Sequence, residues 1–89
     1  MKNELDMSGR SVLVTGGGKG VGKGITERFL EAGAEVVICG RSQPEQLPVA
    51  AGREARFIAA DVKKAEEAES LVAAAADSMG GLDVLVNNA

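Results

Sequence analysis

The residues best placed to do chemistry form a glycine-rich stretch near the start of the chain. Positions 15–24 read TGGGKGVGKG, with six glycines and two lysines in ten residues. The stretch directly follows SVLV, an apolar run typical of a buried strand. Glycine lets the main chain approach a ligand closely, and a loop between a strand and a helix presents backbone N–H groups to phosphate. The sequence therefore predicts a phosphate-binding turn.

The spacing of the glycines distinguishes two kinds of phosphate loop. Gly17, Gly22 and Lys23 match the P-loop pattern G-x-x-x-x-G-K-[ST], but its last position, which supplies a hydroxyl to magnesium, is Gly24. The general dinucleotide pattern G-x-G-x-x-G is absent from the stretch. The spacing that fits is T-G-x-x-x-G-x-G, which starts at Thr15 and predicts a helix N-terminus at about residue 20 facing a pyrophosphate. A degenerate P-loop NTPase is the less favoured alternative.

Four apolar runs and two helical patterns must position this loop. The predicted strands cover residues 11–16, 34–40, 54–61 and 82–89, and the predicted helices cover 20–32 and 64–79. In the first helix, Val21, Ile25 and Phe29 recur on one face. Segment 41–52 contains both prolines and has no clean period, so it is either a loop or a loop with one helical turn. Strands joined by helical crossovers predict a parallel sheet covered on both faces.

Composition limits the chemistry that these 89 residues can perform. The net charge is −3, the charges are interspersed and no apolar run is long, so neither a nucleic-acid partner nor a membrane is expected. The start of the chain lacks an apolar secretory core, which favours a cytoplasmic location. The sequence has no histidine, no tyrosine and one cysteine, Cys39, within an apolar run. We therefore expect no metal site, no redox cysteine and no mechanism that needs imidazole or phenol.

The T-G-x-x-x-G-x-G spacing and three further features together resemble the short-chain dehydrogenase/reductase family from about Gly9 onward. Asp61-Val62, at the tip of the third predicted strand, resembles the family's adenine-contacting pair, although Asp61 as a helix N-cap is an open alternative. NNA at residues 87–89 resembles the start of its Asn-Asn-Ala-Gly motif, and LDVLVNNA resembles its fourth strand. The resemblance implies the N-terminal half of a Rossmann-type doubly wound α/β fold, with strand order 3-2-1-4 and residues 1–89 as a partial NAD(P)-binding domain.

The residues after the second predicted strand bear on which NAD(P) cofactor binds. In dinucleotide folds an acidic residue there accepts hydrogen bonds from the adenosine ribose. This chain has Gly40 at that position, followed by Arg41 and Ser42, and Lys19 lies in the glycine loop. Arginine binds phosphate in bidentate fashion, and family members that prefer NADP are similar in having basic residues at these two places. NADP(H) is therefore favoured over NAD(H).

The motif and the resemblance together define a predicted cofactor site. Asn87 is expected to brace neighbouring strands, whereas Asn88 and Ala89 are expected to line the cofactor ribose. The complete predicted site consists of Gly16, Gly18, Lys19, Gly20, Val21, Gly22, Arg41, Ser42, Asp61, Val62, Asn88 and Ala89.

The resemblance also implies hydride transfer between nicotinamide and a carbonyl or alcohol substrate, in a homo-oligomer that is a dimer or tetramer. In the family a tyrosine, a lysine and a serine beyond the fourth strand carry out this reaction. We therefore expect no catalytic residue in this chain, which would be the cofactor-binding half of a longer reductase and inactive alone. A free-standing nucleotide-binding or interaction module without chemistry of its own is the alternative.

Overall fold

The structure is a computed structural model that describes residues 6–89. It contains six strands and two helices in the described residues. In chain order these are β1 (Ser11–Thr15), α1 (Gly20–Glu31), β2 (Glu35–Gly40), β3 (Val49–Ala50), β4 (Arg53–Glu54), β5 (Arg56–Ala59), α2 (Ala65–Met79) and β6 (Val84–Asn87).

The four longer strands form one parallel sheet in the order β5-β2-β1-β6. This confirms the predicted Rossmann-type sheet and its 3-2-1-4 order, counted over the four predicted strands. The register pairs Thr15 with Cys39 on one side and with Asn87 on the other, and it pairs Gly40 with Ala59. The carboxyl ends of all four strands therefore meet at one edge of the sheet, where open α/β sheets bind their ligands.

The two central strands, β1 and β2, are buried on both faces because each face of the sheet is covered there by a helix. One buried cluster joins alternate residues of β1 and β2 to Leu30 of α1, and it consists of Val12, Val14, Leu30, Ala34, Val36, Ile38 and Ala55. The other joins the remaining alternate residues to α2, and it consists of Leu13, Val37, Cys39, Ala60, Leu71 and Ala75. Uninterrupted apolar strands are what a parallel sheet of this kind requires.

The buried face of α1 is not centred on the apolar residues of its pattern. Gly22, Thr26 and Leu30 are the buried positions of this helix. Val21 is 75% exposed, and Ile25 and Phe29 are only half-buried. The reason is that the helix lies close against its own preceding loop, which leaves room on that side only for glycine and a small polar residue.

Segment 41–52 has no helical turn, and it is not entirely a loop either. Its last residues form the first strand and the turn of a small hairpin. β3 and β4 pair antiparallel, with Val49 opposite Glu54 and Ala50 opposite Arg53. The predicted third strand began at residue 54, which belongs instead to β4, so that strand is reduced to β5. The predicted fourth strand is likewise reduced to β6. The N–H groups of the last two residues donate to the side chain of Thr15 and not to the backbone of a neighbouring strand.

No helix within residues 6–89 combines the length and the apolar character needed to span a membrane.

Candidate functional site

The glycine loop begins at the carboxyl end of β1 with a sharp change of direction. Gly16 has φ +65, a left-handed conformation that side-chain-bearing residues rarely adopt. Its N–H donates to the carbonyl of Cys39 on β2 at 3.0 Å, so the first residue of the loop is fixed to the middle of the sheet. The loop then leads to α1, which begins at Gly20 as predicted.

Gly22 allows α1 to lie in direct contact with the start of the loop. A Cβ at this position would lie 2.0 Å from the Gly16 carbonyl oxygen and 2.6 Å from Nδ2 of Asn88. Neither neighbour can move away cheaply, because one is backbone and the other is a short amide held by a hydrogen bond. The third glycine of the motif is therefore required by a close approach rather than by its backbone angles.

Thr26 is a residue of this site that the sequence pattern did not identify. Its side chain is fully buried, and its hydroxyl lies 2.9 Å from the Gly22 carbonyl oxygen and 3.2 Å from that of Gly17. A Cβ at Gly17 would lie 2.7 Å from the same hydroxyl oxygen. Thr26 therefore ties the middle of the loop to the helix that follows it. The one hint in the sequence is that Thr26, a polar residue, follows Ile25 directly and precedes Phe29 and Leu30 in α1.

Thr15 joins the tips of β1 and β6. Its hydroxyl oxygen accepts hydrogen bonds from the backbone N–H groups of Asn88 (2.9 Å) and Ala89 (3.1 Å). Its own proton has two acceptors on β6 within reach, Oδ1 of Asn87 at 3.2 Å and the Val86 carbonyl oxygen at 3.4 Å. The Asn87 side chain thus links β6 to β1, and it also lines the cavity described below. Nδ2 of Asn88 donates to the Gly16 carbonyl at 3.3 Å, which ties the end of the chain to the first loop glycine.

The tip of β2 carries no acidic residue. Gly40 ends the strand, and Arg41 and Ser42, which follow it, are both exposed. The glycine loop lies close to this segment, since a Cβ at Gly18 would lie 3.1 Å from Cγ of Pro44. The cationic side chains of Lys19 and Arg41 therefore belong to two segments that lie next to each other.

Asp61 lies in a turn between β5 and α2. Its Oδ1 accepts from the N–H of Lys63 at 3.0 Å, and its carbonyl accepts from the N–H of Lys64 at 3.0 Å. Its own N–H donates to Oε1 of Glu67 at 2.9 Å. The N-cap of α2 is Lys64, so the alternative that Asp61 caps this helix is wrong.

Four of the predicted site residues line a cavity of about 530 Å³ at the carboxyl edge of the sheet: Arg41, Asp61, Val62 and Ala89. Most of the others form the neighbouring loop and the start of α1. Ser42 and Asn88 lie just after β2 and β6. The side chain of Val21 is exposed and lines a separate apolar cleft with Met7, Ile25 and Phe29. The predicted residues thus lie in the cavity, in the loop with the start of α1, or just after β2 and β6.

Cys39 is buried in β2 and is 3% exposed. Burial raises the pKa of its thiol, so the side chain is a neutral, unreactive part of the core.

Comparison with known proteins supports this arrangement. Residues 10–89 match the family model described as short chain dehydrogenase. The chain is 41% identical over 88 residues to the glucose 1-dehydrogenase of Gluconobacter oxydans (strain 621H), covering 92% of this chain and 33% of that protein. The chain therefore spans about a third of the length of the curated relatives that it matches.

Two solved structures share the fold. One is a short chain dehydrogenase from Burkholderia cenocepacia J2315 in complex with NADP, with a TM-score of 0.83 and 36% identity, covering 94% of this chain and 37% of that one. The other is an NADH-dependent reductase complexed with NAD, with a TM-score of 0.83 and 29% identity, covering 93% and 37%. The sheet order, the glycine loop and the matched residues together place this chain in the short-chain dehydrogenase family.

Proposed function

We propose that this chain is the cofactor-binding part of an NADP(H)-dependent oxidoreductase. The whole protein would transfer a hydride between nicotinamide and a carbonyl or alcohol carbon. Residues 1–89 would form the N-terminal part of its NAD(P)-binding domain. The whole protein would act on a small molecule, form a homo-oligomer and be located in the cytoplasm.

The strongest support for this proposal is the uncapped N-terminus of α1. Lys19 is the N-cap of the helix, yet its side chain makes no capping hydrogen bond, and the first turn contains no acidic residue. The free N–H groups of a first turn need an acceptor, and the helix dipole favours an anionic one. A Cβ at Gly20 would meet nothing within 4 Å, so the space beside these groups is open to a ligand. These features fit the pyrophosphate of a dinucleotide.

The remaining predicted residues surround this point in an order that fits the other parts of the cofactor. Asp61 and Val62 line the cavity where an adenine would lie, and Ala89 lines it from the tip of β6. Asn88 acts on the loop, because its amide donates to the Gly16 carbonyl. Bound in this way, the cofactor would supply or accept the hydride, while the residues of this chain bind and orient it.

The preference for NADP(H) rests on the tip of β2. The two family structures described above contain NADP and NAD, so the fold accommodates either cofactor. Selectivity therefore depends on individual residues. Gly40 has no carboxylate to bind a ribose 2′-hydroxyl or repel a 2′-phosphate, and the exposed Arg41 and Ser42 can donate to that phosphate. Lys19 lies in the adjacent loop and adds a second positive charge.

The alternative of nucleotide hydrolysis through a P-loop has less support. Thr26 carries the first hydroxyl after the lysine of the P-loop-like pattern. That hydroxyl is buried and lies against the Gly17 and Gly22 carbonyls, so it does not serve as a magnesium ligand.

The proposal is tested by calorimetric titration of the chain with NADPH, NADH and Mg-ATP. We expect NADPH to bind most tightly. The change Arg41→Asp should weaken NADPH binding and favour NADH, because the new carboxylate repels the 2′-phosphate and accepts from the ribose hydroxyl. A shift of the NADPH-to-NADH ratio by about tenfold or more is expected from the loss of a charge-assisted hydrogen bond.

Arg53→Asp is the matched control, since it makes the same charge change at an exposed residue of the β3–β4 hairpin. It should leave the ratio unchanged. A clear preference of the original chain for Mg-ATP would contradict the proposed function, and an unchanged ratio in Arg41→Asp would remove the role of that residue.

A further inference from the structure

Glu67 has an unusual hydrogen bond for a residue in the first turn of a helix. It is the third residue after the N-cap Lys64, the place where a capping-box glutamate accepts from the N-cap N–H. In this chain the Lys64 N–H already donates to the Asp61 carbonyl at 3.0 Å. Oε1 of Glu67 instead accepts from the N–H of Asp61 at 2.9 Å, three residues before the N-cap.

The hydrogen bond from the Asp61 N–H to Glu67 joins this turn to a residue outside it. The other two bonds, from the N–H groups of Lys63 and Lys64, are local and only close the turn on itself. The Glu67 bond joins the turn to α2, whose Leu71 and Ala75 are buried against the sheet. The preceding residue, Ala60, is held to β2 by the hydrogen bond from its N–H to the Gly40 carbonyl at 2.9 Å. The Glu67 bond is the contact of Asp61 itself with α2, and it helps to set the position of Asp61.

Asp61 lines the cavity of about 530 Å³ together with Val62 and Arg41. The side chain of Glu67 is half-buried behind this turn, and its Oε2 lies 3.6 Å from Nζ of Lys64. This ion pair partly offsets the negative charge that Glu67 places near the Asp61 carboxylate. The arrangement holds the Asp61 backbone without adding an unbalanced charge to the cavity.

We propose that Glu67 is a positioning residue for adenine recognition, acting through the backbone of Asp61. This inference rests on the proposed function. A carboxylate only accepts hydrogen bonds, and the donor on the outer edge of adenine is its 6-amino group. If Glu67 holds Asp61 in place, loss of Glu67 removes discrimination between adenine and a base that lacks this amino group.

The test compares NADPH with its hypoxanthine analogue, in which a carbonyl oxygen replaces the 6-amino group. Dissociation constants are measured for the original chain and for Glu67→Ala, Glu67→Asp and Glu67→Gln. We expect the original chain to prefer NADPH by about fivefold or more, the usual value of one hydrogen bond. Glu67→Ala and Glu67→Asp should lose most of this preference, because neither side chain reaches the Asp61 N–H. Glu67→Gln should retain it, since its amide oxygen still accepts.

Glu66→Ala is the matched control. Glu66 lies in the same first turn and is exposed, so it shares the interaction with the helix dipole but not the hydrogen bond to Asp61. Melting temperatures should fall similarly in Glu66→Ala and Glu67→Ala if the dipole dominates stability, while only the Glu67 variant loses base discrimination. Glu67→Asp preserves the charge and keeps the comparison interpretable if Glu67→Ala does not fold.

The outcomes separate this inference from the proposed function. If the original chain binds neither NADPH nor the analogue, the proposed function and this inference both fail. If it discriminates between them and Glu67→Asp discriminates equally well, the proposed function stands and the role of Glu67 is wrong.

Discussion

At the scale of single residues, two glycines of α1 have opposite surroundings. A Cβ at Gly22 would lie 2.0 Å from the Gly16 carbonyl oxygen, whereas a Cβ at Gly24 would meet nothing within 4 Å. Both residues lie inside the helix, where glycine is unfavourable compared with alanine. The first glycine is therefore required by packing and the second is not.

The changes Gly22→Ala and Gly24→Ala should consequently have opposite effects. Gly22→Ala forces the loop away from the helix, and we expect a loss of about 1–3 kcal/mol in the free energy of unfolding, as for other overpacked sites. Gly24→Ala should add about 0.5–1 kcal/mol through helix propensity alone. Urea denaturation monitored by circular dichroism measures both. A Gly22→Ala chain as stable as the original would contradict the close approach seen in the structure.

The buried hydroxyl of Thr26 donates to the carbonyl of Gly17 in the glycine loop. Replacing Thr26 by valine preserves the shape but removes the proton shared by the Gly17 and Gly22 carbonyls. The Gly22 carbonyl can still accept within the helix, so the loop carbonyl of Gly17 loses its donor. We expect Thr26→Val to destabilise the chain by about 1–3 kcal/mol, the usual cost of an unsatisfied buried group.

Thr26→Ser is the control for this experiment, because it keeps the hydroxyl and loses only a methyl group. The two variants should separate in nuclear magnetic resonance as well, with the amide signals of residues 16–20 displaced further in Thr26→Val. Equal stability of Thr26→Val and the original chain would show that the hydroxyl is dispensable.

At the scale of elements, the parts that the sequence predicted well are those with strong local patterns. Three of the four main strands, β1, β2 and β6, are rich in valine and other β-branched residues, and the end of α2 is marked by Gly80, which adopts φ +75 at the C-cap. The β3–β4 hairpin was not predicted because each strand has only two residues and pairs only with the other. The buried face of α1 was misjudged because a glycine and a threonine occupy it, and an apolar period cannot indicate either.

The same limit applies to the candidate site. The strand tips could be located from the sequence, because parallel strands place their carboxyl ends at one edge. The contacts of Thr26 with Gly17 and of Glu67 with Asp61 could not be predicted. They depend on how close a helix lies to the loop that precedes it, which is a property of packing rather than of spacing.

Both helices have a lysine at the N-cap and no side-chain capping hydrogen bond. A variant of α2 can measure how much stability the missing cap would add. Its N-cap Lys64 has extended backbone angles, φ −96 and ψ 117, but no capping side chain. Lys64→Ser should supply a hydroxyl to the free N–H groups of the first turn and stabilise the chain by about 0.5–1 kcal/mol. The exposed ion pair with Glu67 that is lost contributes little. Thermal denaturation measures the gain.

Lys63→Ser is the control, since it removes the same charge one residue before the N-cap. It should leave the melting temperature nearly unchanged. If both serine variants raise it equally, the gain comes from reducing the local positive charge and not from the cap.

At the scale of the whole molecule, Cys39 reports on the entire sheet. It lies in β2, between β1 and β5, and is 3% exposed. Burial raises the pKa of its thiol, so the native state holds the thiol proton more tightly than the unfolded chain does. Stability from this group is complete below the thiol pKa of the unfolded chain and declines as pH rises toward the higher thiol pKa of the folded chain.

The rate at which a thiol reagent labels Cys39 should therefore measure global unfolding. A central strand is exposed only when the sheet opens, so labelling at pH 7.5 should be slower than in urea by at least about a thousandfold for a chain of ordinary stability. Gly24→Ala should slow the reaction further and Gly22→Ala should accelerate it. Saturating NADPH should also slow it, because a ligand that binds only the folded chain lowers the unfolded population by the factor 1 + [L]/Kd. Labelling as fast as in urea would mean that β2 is exposed most of the time without denaturant, which its pairing with strands on both sides argues against.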